Sequence, residues 1–204
     1  MSPKPVDKEE KKAFIANCAL KVFRQKGFSE TTVEEIAFEA GIGKGTVYEY
    51  YKSKEEIVLK IFDDFFNSEE EKLETVKSID TNAKEGIKKL LQSSFGRLEF
   101  YSEVIPVYFE FWSSSTGRAL GLNKKMSGRF EKIAIQVYKY LQKGKKNGEF
   151  SRTIDSRALS AIFVSSMDGL ILYYALYRPK KKIFSRQIKE TENMFFKYIE
   201  REVL

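Results

Sequence analysis

The apolar residues along the chain recur with a helical period. Between Val6 and Ile105 no proline interrupts the sequence, and apolar positions return every three to four residues, as on the buried side of an amphipathic helix. No segment shows the strict alternation of apolar and polar residues that marks a half-buried strand. This pattern predicts an all-α protein of about nine helices.

Local start and stop signals divide the first sixty residues into four helices. Glycines end the first two of them, at Gly27 and Gly41. The third helix is very short and runs from about Lys44 to Tyr50. The second and fourth helices each open on a capping box, in which a Ser or Thr caps the helix and a Glu three residues later bonds back to it: Thr32-x-x-Glu35 and Ser53-x-x-Glu56.

Beyond Asp80 the predicted helices are longer and more aromatic. One apolar stripe runs from Ile87 to Leu98, and another begins at Val104 with Pro106 in its first turn, where a missing N–H costs little. A third stripe begins at Phe130. The last two helices are predicted from their N-caps, over about Asp155–Tyr177 and Ser185–Glu202.

The composition excludes much of enzyme chemistry. The chain contains no histidine and one cysteine, Cys18, so it has no Ser-His or Cys-His pair, no His-bound metal and no internal disulfide. We therefore expect a binding protein without metal or cofactor rather than an enzyme. No stretch approaches the roughly 20 uncharged apolar residues of a membrane span, and the N-terminus lacks a secretory signal, so we expect a cytoplasmic location.

The net positive charge does not by itself locate a nucleic-acid site. The chain carries a net charge of +7, yet residues 1–60 hold 11 Lys and Arg against 10 Asp and Glu. The excess lies in residues 101–204, in runs such as Lys180–Lys182 that are typical of a solvated surface. A protein that compacts DNA without sequence preference is disfavoured, because such affinity depends on neutralising many phosphates.

The most informative segment is residues 31–51, which read TTVEEIAFEAGIGKGTVYEYY. Ala37 is small enough for a second helix to cross closely, and Gly41 can adopt the positive φ of a tight turn. Two short helices joined in this way are typical of a helix-turn-helix, whose second helix enters the major groove.

This segment resembles the TetR/AcrR family of bacterial transcriptional regulators. The likeness extends upstream through ALKVFRQKGF at residues 19–28 and downstream through KSKEE at residues 52–56, and covers about residues 13–60. The remaining two thirds of the chain matches the family only in its length and helical architecture.

The resemblance implies two domains and a function. Residues 1–53 would form the helix-turn-helix DNA-binding domain, in which residues 1–8 either add DNA-backbone contacts or are disordered. Residues 54–204 would form a larger helical bundle for ligand binding and dimerisation. The implied function is that of a homodimeric repressor that binds a palindromic operator and is released by a small apolar or aromatic effector, with no membrane partner.

The resemblance also implies seven DNA-binding residues, listed in chain order: Thr32, Lys44, Gly45, Thr46, Tyr48, Tyr50 and Lys54. The first two residues of the recognition helix would meet base edges, where lysine can donate to guanine and glycine permits close approach. Thr46, Tyr48 and Lys54 would bind phosphates, as would the backbone N–H of Thr32. Tyr50 is either a base contact or a packing residue, whereas Tyr51 is expected to pack inside the head.

Eight side chains, most of them aromatic, are candidates for an effector pocket: Tyr101, Tyr108, Phe109, Trp112, Tyr138, Phe163, Met167 and Tyr174. A helical bundle can enclose a ligand among such groups, and the alternative is a filled aromatic core. Glu103 and Glu110 either bind the cationic part of a ligand or face solvent. The alternative of an enzyme on an all-α scaffold would use a carboxylate pair such as this one.

Two further expectations concern the whole molecule. The last two helices would pair with those of a second copy, with surplus apolar surface on Phe163, Leu170, Phe195 and Tyr198. The helix from Ile57 to about Lys77 would carry a rearrangement of the effector domain to the head.

Overall fold

The computed structural model describes residues 7–78 and 82–200, which form ten helices and contain no strand. The all-α prediction is confirmed. The helices are listed in chain order: α1 Lys8–Lys26, α2 Val33–Glu39, α3 Lys44–Tyr50, α4 Lys54–Ser78, α5 Ala83–Phe95, α6 Leu98–Ser113, α7 Ser115–Ala119, α8 Leu122–Asn147, α9 Ser156–Tyr177 and α10 Lys181–Ile199. Helix α7 exceeds the predicted set because five residues are too few to show a period.

The chain divides into two compact units. Met1–Asn67 with Glu103–Leu120 make up the first unit, and Ser68–Ser102 with Gly121–Leu204 make up the second. Helices α4 and α6 contribute residues to both units. The domain boundary predicted after Ser53 falls inside the first unit and stays a prediction.

Helices α1 to α4 and the C-terminal part of α6 supply the core of the first unit. Asp7 caps α1 by accepting a hydrogen bond from the Glu9 N–H, and Gly27 ends the helix at a φ of 84°. The aromatic ring of Phe62 is fully buried, 5.1 Å from the ring of Tyr108. The other large side chains that are fully buried in this unit are Ile15, Phe23, Ile36, Ile57 and Phe111.

The core of the second unit joins the interior faces of α5, α8, α9 and α10. Phe163 and Met167 of α9 are buried there, together with Ile87, Leu90 and Leu141. The rings of Phe163 and Phe195 meet edge to face with 4.9 Å between their centroids. A large apolar side chain that is buried in its own bundle is already removed from water. Phe163 therefore offers no apolar surface to a second copy, and the expectation that it does so is wrong.

Two predicted helix starts are wrong. Helix α6 begins at Leu98, so Pro106 lies in its interior rather than in its first turn. Proline lacks the N–H that would bond to the carbonyl of Ser102, and a guanidinium N–H of Arg178 donates to that carbonyl instead, at 2.9 Å. Helix α10 begins four residues before the predicted cap Ser185, with Lys180 as its N-cap.

Helix α9 is long and apolar enough to cross a membrane by length and composition alone. This is weak evidence for a span, because the core helix of a soluble protein passes the same test. One side of α9 is buried in the second unit, at Leu159, Val164 and Ile171.

Candidate nucleic-acid interface

A capping box opens helix α2, as the sequence predicts. The Glu35 N–H donates to the Thr32 hydroxyl oxygen at 3.3 Å, and the Thr32 N–H donates to the Glu35 carboxylate at 2.9 Å. Hydrogen bonds from the Lys26 ammonium and then from Thr32 lower the pKa of Glu35 to about 2. The Thr32 N–H is thus already bonded to a carboxylate, and a phosphate would have to displace that carboxylate.

Glycine forms the turn between α2 and α3. Gly41 has a φ of 64°, a conformation that side chains with a Cβ rarely adopt. The turn is closed by the Ile42 N–H, which donates to the Ala37 carbonyl at 3.0 Å. Val47 is buried beneath α3 and Ile36 beneath α2, so the opposite face of α3 is left to solvent.

The solvent face of α3 begins with Lys44 and Gly45. Lys44 is exposed and its ammonium lies 2.7 Å from the Glu34 carboxylate, whose hydrogen bond raises the pKa of Lys44. A Cβ added at Gly45 would meet nothing within 4 Å, so packing within the protein does not require glycine there. Tyr48 is exposed, whereas Thr46 and Tyr50 are half-buried.

Tyr51 lies inside the head, and this prediction is confirmed. Its side chain is buried, and its hydroxyl donates to the Lys12 carbonyl at 2.8 Å. Burial raises the pKa of Tyr51. The hydroxyl joins α1 to the end of α3 and is not available to DNA.

Lys54 has a different environment from the one that a phosphate contact requires. Its ammonium donates to the carbonyls of Phe28, Ser29 and Thr31 at 2.9, 2.8 and 3.0 Å. It also lies 4.7 Å from the centre of the Phe28 ring. An ammonium has three donors, so the loop between α1 and α2 occupies all of them. We therefore remove Lys54 from the phosphate-binding set.

Glu110 holds the same loop from its N–H side. Its carboxylate accepts the N–H groups of Phe28 and Ser29 at 2.8 and 2.9 Å. Burial opposes ionisation of Glu110, but these two hydrogen bonds and the nearby Lys54 outweigh it and lower its pKa. Gly27 makes room, since a Cβ there would lie 3.0 Å from a Glu110 oxygen. We call Lys54 and Glu110 the loop clamp.

Both glutamates have partners within the protein, and the Glu103 carboxylate also remains partly exposed to solvent. The carboxylate of Glu110 belongs to the loop clamp, and Glu103 pairs with Arg24 at 2.9 Å. Both are therefore engaged within the first unit and are not free to bind a cation. Sequence spacing could not reveal the clamp, because Glu110 lies 82 residues from Phe28.

The eight candidate pocket residues are divided between the units. Tyr108, Phe109 and Trp112 belong to the first unit and form an edge-to-face series with 5.9 Å between successive ring centroids. Burial raises the pKa of Tyr108 to about 12, whereas Phe109 and Trp112 are partly exposed. The other five belong to the second unit, where they do not share one environment.

Within the second unit, two of the five are core residues and three have polar or surface positions. Phe163 and Met167 lie in the core. The hydroxyl of Tyr101 donates to Glu69 at 2.6 Å, and that of Tyr174 donates to Glu99 at 2.8 Å. Tyr138 lines an open groove of about 490 Å³ between α8 and α9, and Tyr174 lines a cavity of about 390 Å³ near Phe184.

Two family models match the chain. Residues 15–61 match the model for bacterial regulatory proteins of the tetR family, and residues 98–184 match the tetracyclin repressor-like C-terminal domain. The chain belongs to the TetR family. Its members are DNA-binding transcriptional regulators rather than enzymes, and the first model covers both helices of the helix-turn-helix.

Relatives match over nearly the whole length. The HTH-type transcriptional regulator YfiR of Bacillus subtilis is 26% identical, over 98% of this chain and 97% of the relative. The fatty acid degradation regulator FadR from Bacillus halodurans is 21% identical with a TM-score of 0.74, over 96% of this chain and 97% of the other. FadR from Bacillus subtilis in complex with stearoyl-CoA is also 21% identical, with a TM-score of 0.67, over 94% and 99%. The two solved structures share the TetR-family fold with this chain.

Proposed function

We propose that this TetR-family regulator is a homodimeric repressor of a palindromic operator, released by a lipophilic effector. The observation that carries the DNA-binding part is the solvent face of α3, where Lys44, Gly45 and Tyr48 are exposed together. In the loop before α2, Lys54 binds three carbonyls and Glu110 binds two N–H groups. The face of α3 is therefore the surface on which a major groove fits best.

We assign base reading to the start of α3 and phosphate binding to its flank. Lys44 exchanges its Glu34 partner for a guanine edge, and the bare backbone at Gly45 lets the helix approach the bases. Thr46 and Tyr48 hold phosphates through their hydroxyls, which fixes the register of the helix without reading sequence. Tyr50 is half-buried and is assigned an auxiliary base contact.

An unpaired stripe on α9 supports the homodimer. Its members are uncharged and exposed or half-buried, and they follow a seven-residue repeat: Ala158, Ile162, Ser165, Gly169, Leu172 and Leu176. This spacing is that of a helix-pairing seam, and the small Ser165 and Gly169 at its centre let a second helix approach closely. Ile183, Met194 and Tyr198 of α10 are exposed as well, and they would extend the interface.

The family relatives support a lipophilic effector. Two of the matched proteins are regulators of fatty acid metabolism, and one was solved with stearoyl-CoA. The aromatic and aliphatic side chains of the second unit suit an apolar ligand. We therefore place long-chain acyl compounds first among the candidate effectors of this chain.

We assign the coupling of effector to operator to helices α4 and α6. Each contributes residues to both compact units, and each provides one member of the loop clamp, Lys54 from α4 and Glu110 from α6. A ligand that shifts either helix would move the loop before the helix-turn-helix and change the orientation of α3. Effector binding thus favours a conformation of the dimer that cannot bind both half-sites of the operator at once.

A selection experiment tests the DNA-binding part of the proposal. Sheared genomic DNA of the source organism is retained on the purified protein at about 0.15 M salt, and the retained fragments are sequenced and footprinted. We expect a symmetric site with half-sites one helical turn apart, bound about 10³-fold or more above random duplex. Equal retention of all sequences would contradict the proposal.

A further inference from the structure

A cluster of charged and hydroxyl groups lies among the helices of the second unit. The Tyr101 hydroxyl donates to one Glu69 oxygen at 2.6 Å, and the Lys72 ammonium lies 2.7 Å from the other. On α8 and α9, the Arg129 guanidinium donates to Asp168 through its Nη1 atom at 3.0 Å. The two groups act on each other, since the charge of Arg129 acts on Tyr101 and the charge of Glu69 acts on Arg129.

One buried donor in this cluster has no acceptor among the described residues. The Nε–H of Arg129 is buried and has no hydrogen-bond partner in the part of the chain that the structure describes. The Arg129 side chain is only 12% exposed, although arginine is almost never buried to this degree without full pairing. A buried donor without an acceptor is costly and is rare in native proteins unless a water or ligand completes it.

The helices that carry Arg129 and Asp168 also supply apolar side chains to the core of the unit. Phe130 packs against the core of the unit, and Met167 lies within it. A buried donor without an acceptor, on helices that also supply apolar side chains to the core, can orient a ligand with an apolar body and one acceptor group.

We propose that the Arg129 Nε–H anchors the acyl oxygen of the effector, either the carboxylate of a fatty acid or the carbonyl of an acyl thioester. This inference rests on the proposed function, in which a lipophilic effector acts on the second unit. It narrows the ligand class to molecules with an acyl oxygen, of a carboxylate or of a thioester carbonyl, at the end of an apolar chain.

The charges of the chain argue against a lipophilic cation in this role. The two glutamates that the sequence offered for a cation, Glu103 and Glu110, are bonded to Arg24 and to the α1–α2 loop. The carboxylates of the cluster are paired with Lys72, Tyr101 and Arg129. The donor that remains is part of a cation and would repel a cationic headgroup.

A set of ligands with one common chain tests the anchor. The wild-type protein is titrated by calorimetry with dodecanoate, dodecanoyl-CoA, dodecanol and dodecyltrimethylammonium, each below its micelle concentration. We expect dodecanoate to bind at least tenfold more tightly than the alcohol, because a carboxylate adds charge attraction to the guanidinium that a hydroxyl oxygen lacks, and the cation to bind most weakly. The first two ligands distinguish a free acid from a thioester. Equal affinity for dodecanoate and dodecanol would overturn the anchor.

Variants at the ion pair separate anchoring from packing. Arg129→Lys keeps a cation opposite Asp168 but removes the Nε–H, and should abolish the preference for the acyl ligands while leaving the affinity for dodecanol unchanged. Asp168→Asn keeps the Nε–H and should retain or increase the preference. An acyl preference that survives in Arg129→Lys would overturn the proposal. Thermal melts followed by circular dichroism verify that each variant folds. If a variant does not fold, the ligand titrations of the wild-type protein alone test the anchor.

Operator affinity measured in the same samples separates the anchor from the proposed function. If all four ligands bind equally and release the operator, the anchor is wrong and the effector-controlled repressor stands. If acyl ligands bind through Arg129 without affecting the operator, the anchor stands and the proposed regulation is wrong. If none of the four binds, both are wrong.

Discussion

At the scale of single residues, Lys44 and Tyr48 lie on one exposed face but are assigned different tasks. Lys44→Ala should cost about 1–3 kcal/mol of operator affinity and relax the preference at one base pair of each half-site, because a base contact carries sequence information. Tyr48→Phe should weaken all sequences nearly equally. Competition binding with operators substituted at single positions measures both effects.

The matched control for Lys44 is Lys52, which is also exposed. Lys52→Ala removes the same charge from the head and should leave the base preference unchanged. The division of roles is contradicted if Tyr48→Phe relaxes the preference as much as Lys44→Ala.

We expect Lys54, as a member of the loop clamp, to stabilise the fold rather than to contact DNA. Lys54→Met keeps the aliphatic stem over the Phe28 ring but leaves three carbonyls without their donor, and should lower the free energy of unfolding by about 1–3 kcal/mol. Thermal or urea unfolding measures this loss. The dependence of operator affinity on salt should be unchanged, whereas loss of a phosphate contact would reduce the slope by about one.

Glu110 gives the clamp a dependence on pH. Its pKa is lowered in the folded protein, so its contribution to stability is complete above the ordinary glutamate value of 4.5 and is lost as the pH falls from there through the lower folded value. Glu110→Gln should therefore destabilise the protein at neutral pH. The variant should also lose less stability than the wild type as the pH falls below 4.5. The midpoints of urea unfolding of the variant and the wild type, measured between neutral and acidic pH, test this prediction. The same dependence of the midpoint on pH in both proteins would contradict the role of Glu110.

The sequence predicts residues whose partners are local and misses those whose partners are distant. Thr32 and Glu35 are three positions apart, so their capping box can be predicted from the sequence. Gly41 by itself indicates a turn with a positive φ. Glu110 meets a loop 82 residues away, and no spacing rule connects them. The carbonyls that Lys54 binds, 23 to 26 residues away, are hidden from spacing rules in the same way.

At the scale of helices, Pro106 shows why an element boundary was misplaced. Proline inside a helix leaves one carbonyl without its partner, so the sequence favours a helix that begins near it. The guanidinium of Arg178 supplies the missing donor to Ser102, and α6 starts eight residues before the proline. The compensating group is distant in sequence and cannot be read from the local pattern.

The stripe on α9 predicts the effect of a charge on assembly. Ile162 is 56% exposed, so Ile162→Glu should leave the monomer folded while placing two like charges across the proposed seam. We expect the dimer to dissociate at micromolar concentration in sedimentation velocity. Leu120→Glu, at an exposed leucine outside α9 and α10, is the matched control and should remain dimeric. A wild-type protein that sediments as a monomer would contradict the dimer itself.

At the scale of the whole molecule, helices α4 and α6 each contribute residues to both compact units. The family models cover the head and much of the C-terminal domain, and α4 and α6 provide the two members of the loop clamp. The sequence predicted the head because its motif is short and local. It did not predict the polar cluster around Arg129, because that cluster is assembled from four helices far apart in the chain.

The central claim is that an acyl effector controls operator affinity, and one titration tests it most directly. Fluorescence polarisation of a labelled operator duplex is measured at fixed salt with increasing dodecanoyl-CoA, in parallel with a random duplex. We predict that saturating effector weakens operator binding about five- to 150-fold, the range of a coupling free energy of about 1–3 kcal/mol, and leaves the weak binding to random duplex unchanged. Operator affinity that is unaltered at saturation with dodecanoyl-CoA would contradict the account.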